Sequence, residues 1–305
     1  MNKNYTPLES IVEFAAIGRV DNPLPRHEIL LKAAEMNLPS AIEDEEKTAL
    51  LLVDPQQDFM EQGSLGVPGS HADMARTIRF IYRNLLRISR IFISFDHHDP
   101  YQIFHPCWWT DAEGKPVMPY TVIRAEDVAV GRWVPVFEPE RSLQYVEELE
   151  SKARKELVIW PYHCLQGTTG AAMENQLANI VYYHAVARQS PPVRTQKGSD
   201  PLSEMYGIFQ PEVGPESNIN AQLLNQLAAY DRILVAGQAK SHCVLASVEQ
   251  FVSYFSDQPE ITGRLYLLED CMSPIQGYEE ATETALAEYA RKYKVNRTTS
   301  TAIEL

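Results

Sequence analysis

Short strand-like runs, most of them aliphatic, alternate with stretches of helical periodicity along most of the chain. The runs lie at 49–54 (ALLLVD), 90–96 (RIFISFD), 156–160 (ELVIW), 193–197 (VRTQK), 232–237 (RILVAG) and 264–270 (RLYLLED). Most are unbroken by polar residues, as strands buried on both faces of a sheet are. Between them, apolar positions recur at helical spacing near 70–88, 141–154, 169–188, 217–229, 241–256 and 278–292. Strand and helix in repeated alternation predict an α/β fold, a doubly wound three-layer α/β/α arrangement around a six-stranded, mostly parallel sheet. Ligands of such sheets bind at the carboxyl ends of the strands.

Two segments break the rhythm. Residues 1–46 read as a polar N-terminal extension with one helix-like piece at 26–37, leaving 47–305 as the α/β domain. Residues 107–140 are long, aromatic and irregular. Residues 107–140 are expected to cover an active site, subunit contact is the alternative for either segment, and a homo-oligomer is expected.

Composition narrows the function classes. No apolar run approaches the ~18 residues of a membrane span. The start, MNKNYTPLESIVEF, lacks a basic region followed by an apolar one, so no secretory signal is expected. The cysteines Cys107, Cys164, Cys243 and Cys271 are scattered, with no close pair for a disulfide framework, which suits a reducing cytoplasm. The formal charge of −14, without basic runs, argues against nucleic acid and for a small-molecule partner.

Candidate chemistry sits at the strand ends. Ser241 is the expected N-cap of the helix after 232–237, which puts Cys243 in its first turn, where the helix dipole favours a thiolate. A helix end contributes about 0.3–1 kcal/mol to a nearby charge, and one pKa unit is about 1.36 kcal/mol. The dipole alone therefore leaves the thiol mostly protonated, and a reactive Cys243 needs a base and a cation. Asp54 ends the first run and Lys197 the fourth. Taken singly, these residues read as a buried thiol, a turn cap and a solvated lysine; together they supply nucleophile, base and cation. Cys243 is then expected to be the most reactive of the four thiols.

A second constellation follows the second run. Asp96 and His98, two apart on extended chain, share a side, and His97 faces away. His163 follows the third run, and His105 lies in the intervening loop. One carboxylate and two or three imidazoles suit one divalent transition metal, Zn, Fe or Mn.

The stretches LLVDPQQDFMEQGSLGVPG, FDHHDP, WPYHCLQGTTGA, TQKGSDP and VAGQAKSHCVLASV, in this order over residues 49–274, resemble the nicotinamidase branch of the isochorismatase-like cysteine hydrolases. The resemblance implies that family's fold and a metal-containing amidohydrolase that turns a small amide into acid and ammonia through a thioester. It implies a catalytic triad of Asp54, Lys197 and Cys243, and a zinc-type site of Asp96, His98 and His163, with His105 as an additional candidate. It further implies a cis peptide at Gln238–Ala239, an oxyanion hole from the N–H groups of Ala239 and Cys243, and flanking aromatic residues Phe59 and Trp160. The metal would orient the substrate ring or a water molecule. Departures from the family pattern, including GSDPLSEMYGIF after the lysine, leave other small amides, ureides or carbamoyl compounds open as substrates. A binding or scaffolding protein with a disused site is the reading of another class.

Overall fold

The computed structural model describes residues 6–215 and 218–305. The first five residues of the extension, and residue 217 of the helix expected over 217–229, lie outside the described residues. In chain order the elements are α1 (Arg26–Glu35), β1 (Thr48–Val53), α2 (Ser70–Arg83), β2 (Arg90–Asp96), β3 (Trp109–Asp111), β4 (Val122–Ile123), α3 (Ala125–Ala129), β5 (Trp133–Pro135), α4 (Pro139–Glu148), β6 (Leu157–Val158) and α5 (Asn175–Ala187). Then follow β7 (Val193–Lys197), α6 (Ala221–Ala228), β8 (Arg232–Gly237), α7 (Leu245–Tyr254), α8 (Pro259–Thr262), β9 (Leu265–Leu268), α9 (Glu279–Tyr293) and β10 (Asn296–Thr298).

Six strands form the main sheet in the order β10-β9-β8-β1-β2-β7, every neighbouring pair parallel. Successive residues of a strand face opposite sides, and the aliphatic runs are apolar on both. Leu50, Leu52, Ile91, Ile93, Leu234 and Ala236 join one core with residues of α2 and α5. Ala49, Leu51, Val53, Ile233 and Val235 join the other, with α6, α7 and Leu286 of α9. The α/β/α layering therefore follows from continuous hydrophobicity, which leaves neither face of the sheet fit for water.

Two expectations require correction. The run at 156–160 is not a strand of the main sheet; its β6 pairs antiparallel with β4 in the insert. The edge of β2 it would have taken is occupied by β7, in register from Phe92↔Val193 to Asp96↔Lys197. The sixth strand is β10, three half-buried residues that carry no aliphatic run. The helix expected from 169 starts at Asn175, where the Glu174 side chain accepts from the Leu177 N–H and caps it. The N-terminal extension, polar overall, nonetheless puts Ile11, Val12, Ile17, Ile29 and Ala33 into the core shared with α2 and α5. No helix among the described residues is long and apolar enough to cross a membrane.

Candidate active site

From β1 the chain runs outward to β2 and β7, then returns to build β8, β9 and β10 on the other side. The strand order thus reverses between β1 and β8, where open α/β sheets form their ligand crevice. Val53 and Gly237 are paired across that boundary. Gly237 has φ +130, and a Cβ there would lie 2.0 Å from Val53 O, so only glycine lets the two strand ends lie side by side. Asp54 follows β1 with φ 44, a left-handed conformation that aspartate tolerates better than most residues. Its N–H donates to Ser94 Oγ (3.1 Å), and that hydroxyl donates back to Asp54 Oδ1 (2.6 Å).

Beyond β8 the Gln238–Ala239 peptide is cis. Lys240–Val244 then forms one wide π-type turn leading into α7, and Cys243 lies in it. Ser241 is not the N-cap: its Oγ accepts from the Ile275 N–H (3.0 Å) and meets His242 Nδ1 (2.8 Å). The loop after β9 competes for that hydroxyl, a tertiary contact that helix-start signals do not encode.

Lys197 joins the site residues. Its Nζ lies 3.0 Å from Asp54 Oδ2 and 3.6 Å from Cys243 Sγ, and it donates to Asp96 Oδ1 and to Met205 O. The ammonium, both carboxylates and the thiol are all buried. Burial pushes the Asp54 carboxyl up, against the pull of Lys197. Burial also disfavours charge on Asp96, but Lys197 and then His98 outweigh it and hold that carboxyl well below its usual range. Lys197 in turn is held charged, since Asp54 and Asp96 overcome its burial. Cys243 is raised well above an ordinary thiol by burial, with Asp54 and Asp96 adding to it against Lys197. Burial thus outweighs the helix-end effect, and the resting sulfur is a thiol beside a carboxylate able to take its proton.

Asp96 also faces the imidazoles. Its Oδ2 lies 3.6 Å from His98 Nε2 and 4.0 Å from His163 Nε2. His98 Nδ1 is 2.9 Å from Gly198 O and His163 Nδ1 is 2.8 Å from Pro161 O. Carbonyl oxygens only accept, so each Nδ1 carries a proton and each Nε2 is turned toward Asp96, the orientation of a metal-ligating histidine; burial disfavours charge on His98, but Asp96 outweighs it and raises that imidazole. Ligand atoms of Asp96, His98 and His163 all lie within 4.8 Å of one another. His105 stands beside them with its ring 5.9 Å from that of His98 and 6.0 Å from that of His163. Its Nδ1 meets the carbonyls of Asp99 and Pro100, and its Nε2 is buried with no hydrogen-bond partner. Burial, then His98, lowers His163 to about 3 and His105 to about 4, so both are neutral, the form that ligates. This donor set fits a transition-metal ion.

No main-sheet strand delivers His163, contrary to the sequence reading. Its loop is pinned instead to the chain after β2: His98 N–H donates to Cys164 O (3.2 Å) and Gln166 N–H to His98 O (3.0 Å). Gly198, with φ +75, brings the chain beside His98, and a Cβ there would lie 2.6 Å from His98 Cε1.

A chamber of about 20 Å³ opens onto Cys243, bounded by Asp96, His163, Lys197 and Ala239 and by the rings of Phe59 and Trp160. Sequence reasoning missed six of its lining residues: Leu65, Met205 and Ile275, and the more polar Glu204, Tyr206 and His242. Glu204 is buried with Oε2 unpartnered, and burial pushes its carboxyl up to about 7 against the pull of His98. Its N–H donates to Tyr145 Oη (2.8 Å), so α4 of the neighbouring segment holds it in place. Tyr206 Oη accepts from Trp160 Nε1 (3.1 Å). The only signal for Glu204 was a carboxylate a few residues past Lys197 in an irregular stretch. His242 was adjacent to the candidate nucleophile and overlooked.

No family model matches the sequence, and no curated protein matches it. Solved structures do match the fold. Yeast nicotinamidase bound to the inhibitor nicotinaldehyde aligns at a TM-score of 0.57 and 18% identity, over 83% of this chain and 99% of that one. The Acinetobacter baumanii nicotinamidase/pyrazinamidase aligns at 0.57 and 21%, over 85% and 99%. The Pyrococcus horikoshii pyrazinamidase in complex with zinc aligns at 0.50 and 21%, over 83% and 98%. Nearly the whole of each neighbour is matched, and the α/β/α fold of this chain is that of the nicotinamidases of known structure.

Proposed function

We propose that the protein is a cysteine amidohydrolase, nicotinamidase-like, that converts a small primary amide into its acid and ammonia through a thioester on Cys243. One observation carries the reading: a single buried ammonium, Lys197, lies between a carboxylate and a thiol, within 3.0 Å of Asp54 and 3.6 Å of Cys243. A disused site has no reason to keep buried charges that are costly without function. The shared fold with nicotinamidases and pyrazinamidases adds support for amide hydrolysis.

In the reaction Asp54 takes the thiol proton as Sγ attacks the amide carbon, and Lys197 compensates the charge that appears on sulfur and carboxylate in turn. The N–H groups of Ala239 and Cys243 receive the developing oxyanion; removal of one such donor typically costs about 10²–10³ in rate. Asp54 then passes its proton to the leaving nitrogen, ammonia departs, and the acyl group remains on sulfur. Water attacks the thioester with Asp54 again as base, and the acid and the thiol are released. Phe59 and Trp160 flank the substrate and exclude water.

Asp96, His98 and His163 would hold a divalent ion, with His105 as an added ligand; zinc is the metal of the Pyrococcus pyrazinamidase structure and the first choice here. Such an ion supplies a Lewis-acid contact that orients the substrate. Around it the protein excludes water and fixes the imidazole tautomers through the Gly198 and Pro161 carbonyls. Ammonia release from a panel of primary amides and ureides, nicotinamide among them, tests the reading. Turnover of at least one compound that disappears in Cys243→Ala is expected. Release that persists in that variant refutes it, and so does no release from any compound.

A further inference from the structure

Asp73 is a buried carboxylate that takes no part in the proposed chemistry. It lies one turn into α2, on the face that otherwise carries Met74, Ile78 and Ile81 into the core, and it is 1% exposed. A carboxylate in such a place is costly unless its oxygens have partners. Arg76, half-buried on the same helix, donates to Oδ1 (2.8 Å) and supplies the countercharge. Oδ2 accepts from Nε2 of the wholly buried Gln238 (2.8 Å). Burial pushes the Asp73 carboxyl up, against the pull of Gln238 and then Ser273.

These two partners bracket Ala239. Gln238 precedes it, and the Gln238 N–H donates to Val53 O (2.9 Å) at the end of β1. Lys240 follows it, and the Lys240 N–H donates to the carbonyl of Ser273 (2.8 Å), the residue whose side chain bonds to Asp73. Ala239 O in turn accepts from the N–H groups of His242 (3.1 Å) and Val244 (3.2 Å), which closes the turn that carries Cys243. The segment holding both N–H groups assigned to the oxyanion is thus anchored on either side of Ala239, and both anchors lead to one carboxylate. A hydrogen bond sets direction as well as distance, which an apolar side chain at Gln238 would not.

We propose that Asp73 is a positioning residue for the amide hydrolysis, which through Gln238 and Ser273 fixes the Ala239 N–H that receives the oxyanion. The inference rests on the amidohydrolase reading and adds to it a residue that does not line the chamber. Asp73 belongs to the helix layer on one face of the sheet, and Cys243 packs in the core on the other. The contact with Gln238 therefore ties α2 to the end of β8. Misplacing a reacting group by about 1 Å can cost about 10² in rate, so the anchor has a kinetic consequence beyond its contribution to stability.

The test uses the full-length protein and the amide of the panel that it turns over best. Asp73→Leu removes the acceptor and Asp73→Asn keeps one, while both remove the charge. Asp73→Leu should lower kcat and kcat/KM together by about 10², with KM unmoved. Asp73→Asn should stay within about fivefold of wild type. Gln238→Leu should reproduce the loss, and the double variant Asp73→Leu/Gln238→Leu should cost no more than either single one, because the pair acts as a unit. A role in stability alone would lower the unfolding midpoint and leave kcat of the folded variants unchanged; that result overturns the proposal, and so do additive losses in the double variant. Should Asp73→Leu not fold, Gln238→Leu against wild type gives the same readouts. Hydrogen–deuterium exchange over residues 237–244 separates this outcome from failure of the hydrolase reading. If the wild type cleaves no amide, exchange there about tenfold faster in the leucine variants than in wild type or Asp73→Asn still supports the anchor, and unmoved exchange refutes it.

Discussion

Replacing Lys197 with methionine tests the central ion cluster. Lys197 Nζ is 3.0 Å from Asp54 Oδ2. At an effective dielectric of about 20, that separation makes the ammonium worth about 5 kcal/mol to the carboxylate charge. Asp54 is already raised by burial with the lysine present. Without it, burial acts on Asp54 unopposed by the ammonium and pushes the carboxyl further up, which weakens it as a base, and kcat should fall by about 10³ or more. Stability responds with a definite sign. A carboxyl whose folded pKa exceeds its unfolded value contributes stability below the unfolded pKa and loses it as pH rises through the folded pKa. In Lys197→Met that loss, about 1.36 kcal/mol per pH unit for one proton, should extend to higher pH than in wild type. Urea denaturation at several values between about pH 5 and 8 reads this slope. Adding Asp54→Asn to the variant should remove the extra slope. Retained turnover, or pH profiles parallel to wild type, refutes the assignment of Lys197 as the countercharge.

The sequence-based expectation that Cys243 is the most reactive thiol requires correction, because burial raises it, whereas Cys107 is the one cysteine of the four that is not buried: general alkylation at neutral pH should modify Cys107 first, and loss of ammonia release should track the slower labelling of Cys243, as peptide mass spectrometry against residual activity will show. His163→Ala should lower bound metal well below the level of His97→Ala, with His105→Ala between them, as read by elemental analysis; equal losses at His163 and His97 contradict the donor set. Gly198→Val should lower metal content as well, because a Cβ at this position meets the His98 ring at 2.6 Å, and unchanged metal would show that His98 does not depend on the Gly198 turn.

Much of this site was legible because a parallel sheet gathers its strand ends wherever the helices lie. Asp54 follows a run whose apolar character marks it as buried, and Cys243 follows another such run close to the start of a helix, whereas Lys197 ends β7, a largely polar strand with alternating exposure. What the pattern could not carry were decisions made by competition. The run at 156–160 is as aliphatic as a sheet strand, but β7 pairs with β2 over Phe92–Asp96 and leaves it no edge. Asn296–Thr298 has no hydrophobic signature, yet its backbone takes the free edge of β9. Glu204 and Tyr206 lie on irregular chain and reach the chamber through contacts with Tyr145 and Trp160, residues far away in sequence. Local periodicity contains no trace of such pairings.

The same pairing of strands changes how the two constellations relate. As sequence patterns, Asp54–Lys197–Cys243 and Asp96–His98–His163 are independent, one a nucleophile with its base and cation, the other a metal donor set. In the structure Asp96 and Lys197 are directly paired across β2 and β7, and the two oxygens of Asp96 divide their work. Oδ1 accepts from the Lys197 ammonium, while Oδ2 faces the Nε2 atoms of His98 and His163. The carboxylate that would anchor the ion is thus the one that shares Lys197 with Asp54. Charge drawn from Asp96 by a bound cation weakens its hold on Lys197 and leaves more of the ammonium's field for Asp54 and Cys243. Were an ion held there, its occupancy and the acidity of the thiol would be coupled through one side chain, a coupling that originates in the register of two neighbouring strands.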